Sequence, residues 1–382
     1  MSLGLGLSLM LATPSPATSP TQYVWNIPKT VPEPIVPANN PMTPEKVELG
    51  RYLFYDKRLS VTGKFACASC HEQKFAFTDN RAVAIGATGE RHPRNSMSLT
   101  NVAYNSVLTW ANPVMTQLEA QALVPLFGEH PIEMGLGGRD EAVLATLRQD
   151  VNYQTRFATV FGTSRSTSPD KVINWQTITQ AIAAFERNLT SFDSPFDRFR
   201  YGKDKTAISD SAKRGEKLFL SEDLECFHCH GGFNFSDSTL HRRSRLTEIA
   251  FHNTGLYNLD EKGSYPPNNI GIAEITHQPQ DMGKFKAPTL RNIELTAPYM
   301  HDGSIATLEG VIDHYRMGGR VIHSGEYAGV GSTNPLKSQF VSGFEMTDSQ
   351  QQDLIAFLKS LTDRSFIENP KLGDPWVQES GE

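Results

Sequence analysis

Residues 225–232 read ECFHCHGG, with two cysteines and two histidines inside five positions. The chain has four cysteines, and the other two stand at 67 and 70, so they form two C-x-x-C pairs with none left over. A histidine follows each pair at once: Cys67-Ala-Ser-Cys70-His71 and Cys226-Phe-His-Cys229-His230. Two distant C-x-x-C pairs can in principle meet at one tetrahedral all-cysteine zinc ion. That assignment leaves both histidines as coincidences, and so does a thioredoxin-like dithiol. The full string C-x-x-C-H is the attachment signature of c-type haem, in which both sulfurs bond one macrocycle edge and the adjacent imidazole ligates iron. Two such strings predict two covalent haems.

Upstream of each string the chain repeats itself. ELGRYLFYDKRLSVTGKFACASCH (48–71) parallels KRGEKLFLSEDLECFHCH (213–230), sharing Gly-x-x-Leu-Phe. Helix starts are predicted at Thr43-Pro44 and at Ser209-Asp210-Ser211, because small hydroxyl and acidic residues cap helix N-termini and proline suits the first turn. Leu53 and Phe54, like Leu218 and Phe219, then share a face and pack in a core that would include the haem. The expected fold is mainly α, two tandem cytochrome c-like domains with long loops and few short strands. Residues 1–40 read as a leader and a proline-rich extended segment. Residues 41–200 and 201–382 read as the two domains, with the last residues packing back on the first. The connection is placed in SFDSPFDRFRYGKDK (191–205).

Composition narrows the function. Hydrophobic residues make up 38% and charged residues 20% of 382 positions, which describes a globular chain. A net charge of -6 argues against a nucleic-acid partner. No apolar run reaches the ~18 residues of a membrane span. MSLGLGLSLMLATPSPATSP at the start resembles the back half of a secretory signal, although no Lys or Arg precedes Lys29. Haem attachment of this kind takes place outside the cytoplasm, so the expected location is the periplasm.

Together with these modules, FKAPTLRNIELTAPYMHDGSIATLEG (285–310) resembles the bacterial dihaem cytochrome c peroxidase and MauG family, over about residues 41–365. The resemblance implies one haem that meets hydrogen peroxide, a second that exchanges electrons with it, and a calcium ion and a tryptophan between them. The peroxidase branch has a capping histidine sixteen positions after the first proximal histidine; here that position is Ala87, with His92 five residues later as the rival ligand. The first haem is therefore expected to be open to peroxide. Fourteen residues after the histidine of the HDG motif, where peroxidases have methionine and MauG has tyrosine, stands Tyr315, with Met317 the alternative. Phenolate favours high iron oxidation states and thioether favours Fe(II), so a tyrosine ligand suits the stored, bis-Fe(IV)-type state of MauG.

By the same resemblance, Trp110 is the tryptophan between the haems. Glu133 becomes the acid–base group of the peroxide pocket, Gln121 a hydrogen-bond donor to peroxide and Pro125 a pocket wall. Asn95, Thr296 and Pro298 are the implied calcium ligands, oxygen donors suited to a hard cation. CASCHEQKFAFTDNRAVAIGATGERHPRNSMSLTNVAYN followed by LTWANP looks most like the MbnH branch, which accompanies methanobactin copper systems. That branch implies a secreted copper-binding partner whose tryptophan is oxidised to kynurenine with peroxide. The surface tryptophan that carries holes to the partner in MauG is replaced by Leu224, leaving Trp25, Trp175, Trp376, Tyr257 and Tyr265 as substitutes. A peroxide-scavenging cytochrome c peroxidase and a dihaem electron carrier are the competing readings.

Overall fold

The computed structural model describes residues 23–162, 168–246 and 249–379; the signal-like stretch lies outside them. Helices dominate. The first half holds α1 (Pro44–Phe54), α2 (Leu118–Gln121), α3 (Leu123–Phe127), α4 (Asp140–Gln149), α5 (Val151–Phe161), α6 (Pro169–Val172) and α7 (Trp175–Asn188). The second holds α8 (Pro195–Arg200), α9 (Asp210–Phe219), α10 (Cys226–Cys229), α11 (Ala273–Thr276), α12 (Leu308–Arg316), α13 (Asp348–Ser360), α14 (Arg364–Ile367) and α15 (Pro375–Glu379). Among the described residues the only sheet is an antiparallel pair, β1 (Val321–Ile322) with β2 (Gly329–Val330). No helix among them is long and apolar enough to cross a membrane.

The helix starts lie where the capping chemistry predicts. Thr43 accepts a hydrogen bond from the Lys46 N–H at the head of α1, and Ser209 accepts one from the Ala212 N–H at the head of α9. Asn174 and Thr347 build capping boxes that start α7 and α13.

These four helices form two like crossings, α1 on α7 and α9 on α13, and they explain the repeated glycine. A Cβ on Gly50 would lie 1.9 Å from the Ala181 carbonyl oxygen, and one on Gly215 would lie 1.9 Å from that of Asp353. Only glycine lets the backbones approach so closely. One turn later the repeated phenylalanine meets its counterpart across the crossing, Phe54 to Phe185 at 5.1 Å and Phe219 to Phe357 at 5.2 Å between ring centroids.

A second repeat becomes visible only in the fold. SLTNV (98–102) and TLRNI (289–293) occupy equivalent places. Asn101 and Asn292 are both fully buried and both left-handed, a conformation asparagine tolerates. The Asn101 N–H donates to the Leu189 carbonyl at the end of α7, and the Asn292 N–H donates to the Leu361 carbonyl at the end of α13. Their side-chain oxygens accept from the N–H groups of Ser191 and Asp363, each at 2.8 Å. The Ser191 hydroxyl donates to Asp363 at 3.0 Å and so joins the two halves.

Residues 191–205 read as a linker, yet their first part is a buried hub. Ser191, Ser194 and Asp197 are buried, and the Arg291 guanidinium donates to both Asp197 carboxylate oxygens at 3.0 and 2.9 Å. Charge in the sequence signalled exposure, but here it is paired inside the protein. The C-terminal segment crosses back to α1: the Tyr55 hydroxyl donates to the Leu372 carbonyl at 2.8 Å, and Trp376 packs edge-on against Tyr52.

Candidate active site

The second half surrounds a cavity of about 1540 Å³ of empty space, part of it open to solvent. Cys226, Cys229 and His230 form one wall, and apolar side chains such as Phe219, Leu290, Leu308 and Leu358 form much of the rest. The His230 Nδ1 lies 3.1 Å from the Phe235 carbonyl, which leaves Nε2 as the ligating nitrogen. Burial holds this imidazole below its ordinary pKa, in the neutral form a metal needs.

Tyr315 lines the same cavity, whereas Met317 is 56% exposed on the outer surface. Burial, followed by the nearby Cys229 and Cys226 sulfurs, pushes the Tyr315 phenol well above its usual range. Only a cation facing the oxygen would hold it ionised at neutral pH. This donor set fits a covalent haem: two sulfurs on one edge, an imidazole with its second nitrogen secured, an apolar chamber and a phenol within it. Leu224 is buried in the wall, so no aromatic side chain reaches the surface at that point.

The first half repeats the arrangement on the imidazole side. His71 Nδ1 lies 2.8 Å from the Phe77 carbonyl, and burial again keeps the ring neutral. Cys67 and Cys70 are unpaired thiols. Among the described residues the four cysteines do not gather; Cys229 has Asp237 and His252 for neighbours instead. A shared zinc ion therefore has no site here.

The residues expected in the peroxide pocket come together through backbone pairing. Gln121 ends α2, Pro125 lies one turn on in α3, and the Pro125 carbonyl accepts from the Met134 N–H at 2.9 Å, bringing Glu133 alongside. The Glu133 carbonyl in turn accepts from the Ala87 N–H at 2.6 Å, so the alanine at the former ligand position is tied to the acid. Burial pushes the Glu133 carboxyl up to about 7. His92 lies beside it, Nε2 to Oε1 at 3.9 Å. The His92 Nδ1 accepts from the Arg94 N–H at 3.0 Å, so in the neutral ring Nε2 carries the proton and faces the carboxylate. That geometry suits a proton partner of Glu133 better than an iron ligand.

Two buried ionisable groups escaped the sequence reading. Glu186, beside Cys67 in the core, has one carboxylate oxygen without a hydrogen-bond partner and is pushed up to about 8 by burial. Lys286, lining the cavity, is pushed down to about 7 by burial while its Nζ donates to the Val107 carbonyl. Glu186 lies in none of the motifs and Lys286 at the edge of one, and only the tertiary fold removes them from water.

Trp110, Asn95, Thr296 and Pro298 line the cavity on the side facing the first half. The Trp110 indole N–H donates to the Asn95 carbonyl at 2.8 Å, and the Trp110 carbonyl accepts from the Lys286 N–H at 2.9 Å. Two residues beyond Asn95 the Met97 carbonyl faces His71; two beyond Lys286 the Pro288 carbonyl faces His230. Trp110 thus sits on a short bonded route between the two imidazoles. The Asn95 amide nitrogen donates to the Arg81 carbonyl at 2.6 Å, which points its oxygen to other partners. Among the described residues the Thr296 and Pro298 carbonyls accept no backbone hydrogen bond. Oxygens of this kind are the donors a hard cation takes.

Residues 44–205 match the model of the di-haem cytochrome c peroxidase family. The chain is 33% identical to the methylamine utilization protein MauG of Methylophilus methylotrophus over 93% of its own length and 92% of that protein. It is 34% identical to the cytochrome-c peroxidase IdrP1 of Denitromonas iodatirespirans, covering 88% of this chain and 87% of the relative. The crystal structure of a MauG-like protein associated with microbial copper homeostasis superposes with a TM-score of 0.89 at 48% identity, covering 93% of this chain and 99% of that one. The diheme peroxidase BthA of Burkholderia thailandensis, at 22% identity and a TM-score of 0.65, shares the fold over 88% of this chain and 91% of its own. With 33–34% identity to MauG and a cytochrome-c peroxidase along most of its length, this chain belongs to the di-haem cytochrome c peroxidase and MauG family and is a haem-dependent oxidoreductase acting with hydrogen peroxide.

Proposed function

We propose that this enzyme uses hydrogen peroxide to oxidise tryptophan on a partner protein, a secreted copper-binding protein in which the product is kynurenine, and that it works in the periplasm. The observation that carries the reading is Tyr315 on the cavity wall with Met317 outside. A phenolate ligand suits retention of oxidising equivalents, whereas the thioether of a scavenging peroxidase suits uptake of electrons from a carrier. The copper association of the MauG-like structure supports the partner class.

Cys67 and Cys70 would attach one haem and Cys226 and Cys229 the other, with His71, His230 and Tyr315 as the side chains that would ligate iron. When bound, the haems supply peroxide cleavage and one-electron exchange. Glu133 takes the proton from one peroxide oxygen and returns it to the other, a task matched by a carboxyl near pH 7. His92 steadies its charge, Gln121 orients peroxide by a hydrogen bond, and Pro125 keeps water back. Asn95, Thr296 and Pro298 hold a calcium ion that fixes the Trp110 segment between the halves. Trp110 passes electrons between them.

The test is to incubate the purified holoenzyme with a candidate copper-binding partner and peroxide, then weigh the partner and its peptides. Conversion of one tryptophan to kynurenine supports the reading. An unmodified partner, combined with rapid peroxide-dependent oxidation of a small cytochrome, would establish the scavenging peroxidase instead.

A further inference from the structure

The loss of an aromatic residue at Leu224 raises the question of where electrons enter from the partner. Two of the aromatic clusters that reach the surface differ in their charge. Around Trp376, Tyr52 and Tyr153, guanidinium groups sit over the rings: Arg156 at 3.6 Å from the Tyr52 centroid, Arg58 at 5.4 Å from Trp376 and 5.2 Å from Tyr153. A cation held against a ring opposes removal of an electron from it, because the oxidised ring is itself positive. This cluster is therefore a poor exit.

The other cluster begins at the cavity. Phe285 and His301, stacked at 3.6 Å, form part of its wall, and Trp110 packs against the same group. Tyr265 stands 6.3 Å from Phe285 and 6.4 Å from His301; Tyr257 follows at 5.4 Å, and Tyr327 at 6.0 Å from Tyr257. Tyr265 and Tyr257 are buried, while Tyr327 is 38% exposed on the loop between β1 and β2. Arg94 lies over the Phe285 ring at 5.7 Å, but among the described residues no lysine or arginine is stacked over the three tyrosine rings. The Tyr257 hydroxyl donates to Asp302 at 2.6 Å. Burial and then the Asp302 charge keep this phenol protonated well above its ordinary range. A neutral phenol loses an electron easily only if its proton has somewhere to go, and Asp302 is placed to accept it. The Tyr265 hydroxyl donates instead to the neutral Asn253 amide at 2.8 Å, so it has no comparable base.

We propose that Tyr257, with Asp302 as its proton acceptor, and Tyr327 form the outlet by which the enzyme draws electrons from its protein substrate. The proposal rests on the partner-oxidation reading above and names its route. In each passage Tyr257 gives one electron inward and its phenolic proton to Asp302, leaving a neutral phenoxyl and a carboxylic acid. An electron from Tyr327 then restores Tyr257, with the proton returning from Asp302, while the Tyr327 proton leaves to solvent. The partner's side chain reduces Tyr327, which regains a proton from water. Two such passages match the two electrons accepted by one hydrogen peroxide, which with two protons becomes two waters.

The test uses the holoenzyme without a partner, treated with hydrogen peroxide and a nitroso spin trap, followed by peptide mapping by mass spectrometry. The wild type should carry its adduct on Tyr327. Tyr257→Phe, which keeps the ring and its packing, should lose that adduct while the haem absorption still responds to peroxide. Asp302→Asn should slow its appearance by about 100-fold, the lower range for removing a positioned proton acceptor. An undiminished Tyr327 adduct in Tyr257→Phe, or adducts mainly on Trp376 or Trp25, overturns the route. A wild type whose absorption does not respond to peroxide overturns the partner-oxidation reading itself, and the outlet with it.

Discussion

The two halves of this molecule are built alike on one side of each site and differently on the other. Gly50 and Gly215 allow the same close helix crossing, Asn101 and Asn292 tie the same loop to the end of the second helix of that crossing, and His71 and His230 present the same nitrogen to a backbone carbonyl. Away from the imidazoles the likeness ends. The first half places Ala87, Glu133 and His92 together, and the second places Tyr315 in an apolar cavity. The shared parts hold a cofactor in a module, and the unshared parts assign that module a task.

The largest effect that would break this comparison concerns Tyr315. Tyr315→Phe is expected to abolish product formation and to shift the optical spectrum of one haem only, while Met317→Leu leaves both unchanged. The reverse pattern would assign the ligand to Met317. On the other side, Glu133→Gln should slow reaction with peroxide by roughly 10²–10⁴-fold, read by stopped-flow absorbance. Its pH dependence has a defined sign. The carboxyl must be ionised to accept a proton, so the wild-type rate should rise with pH through about 7, and the variant should lose that rise. Stability runs the other way: a carboxyl raised by burial favours the folded state at low pH, and that contribution is lost as pH rises through about 7.

A smaller effect tests an asymmetry within the repeat. Arg291 occupies the position of Thr100 and pairs with Asp197 in the buried hub. Arg291→Met strands the Asp197 charge and should cost about 3–5 kcal/mol in denaturant unfolding, whereas Thr100→Val should cost far less. The smallest effect tests the symmetry itself. Asn101→Ala and Asn292→Ala should each cost about 1–3 kcal/mol, because each leaves a buried N–H unpaired. Strongly unequal losses would show that one half depends on its loop more than the other does.

Much of the scaffold was legible because its determinants are short in sequence. The caps at Thr43 and Ser209 act over three residues, and Gly-x-x-Leu-Phe repeats a single helical turn. The Asn101 and Asn292 repeat, SLTNV and TLRNI, was not legible, because its meaning depends on partners ninety positions away in one half and about seventy in the other. The burial of Ser191, Ser194 and Asp197 within the connection was hidden for a related reason: the countercharge of Asp197 is the distant Arg291. His92 looked like a rival ligand because proximity in sequence says nothing about which ring nitrogen is already bonded.

By itself the sequence determined the two C-x-x-C-H strings, whose short spacing is what a covalent haem would require. It also determined the helical character and the doubling of the module. Which of Tyr315 and Met317 lines the cavity was decided by the tertiary structure alone. Tyr315 and Met317 are two residues apart, about 200° around a helix of 3.6 residues per turn, so they face opposite ways. Only the packing of α12 against the cavity decides which of those faces is inside.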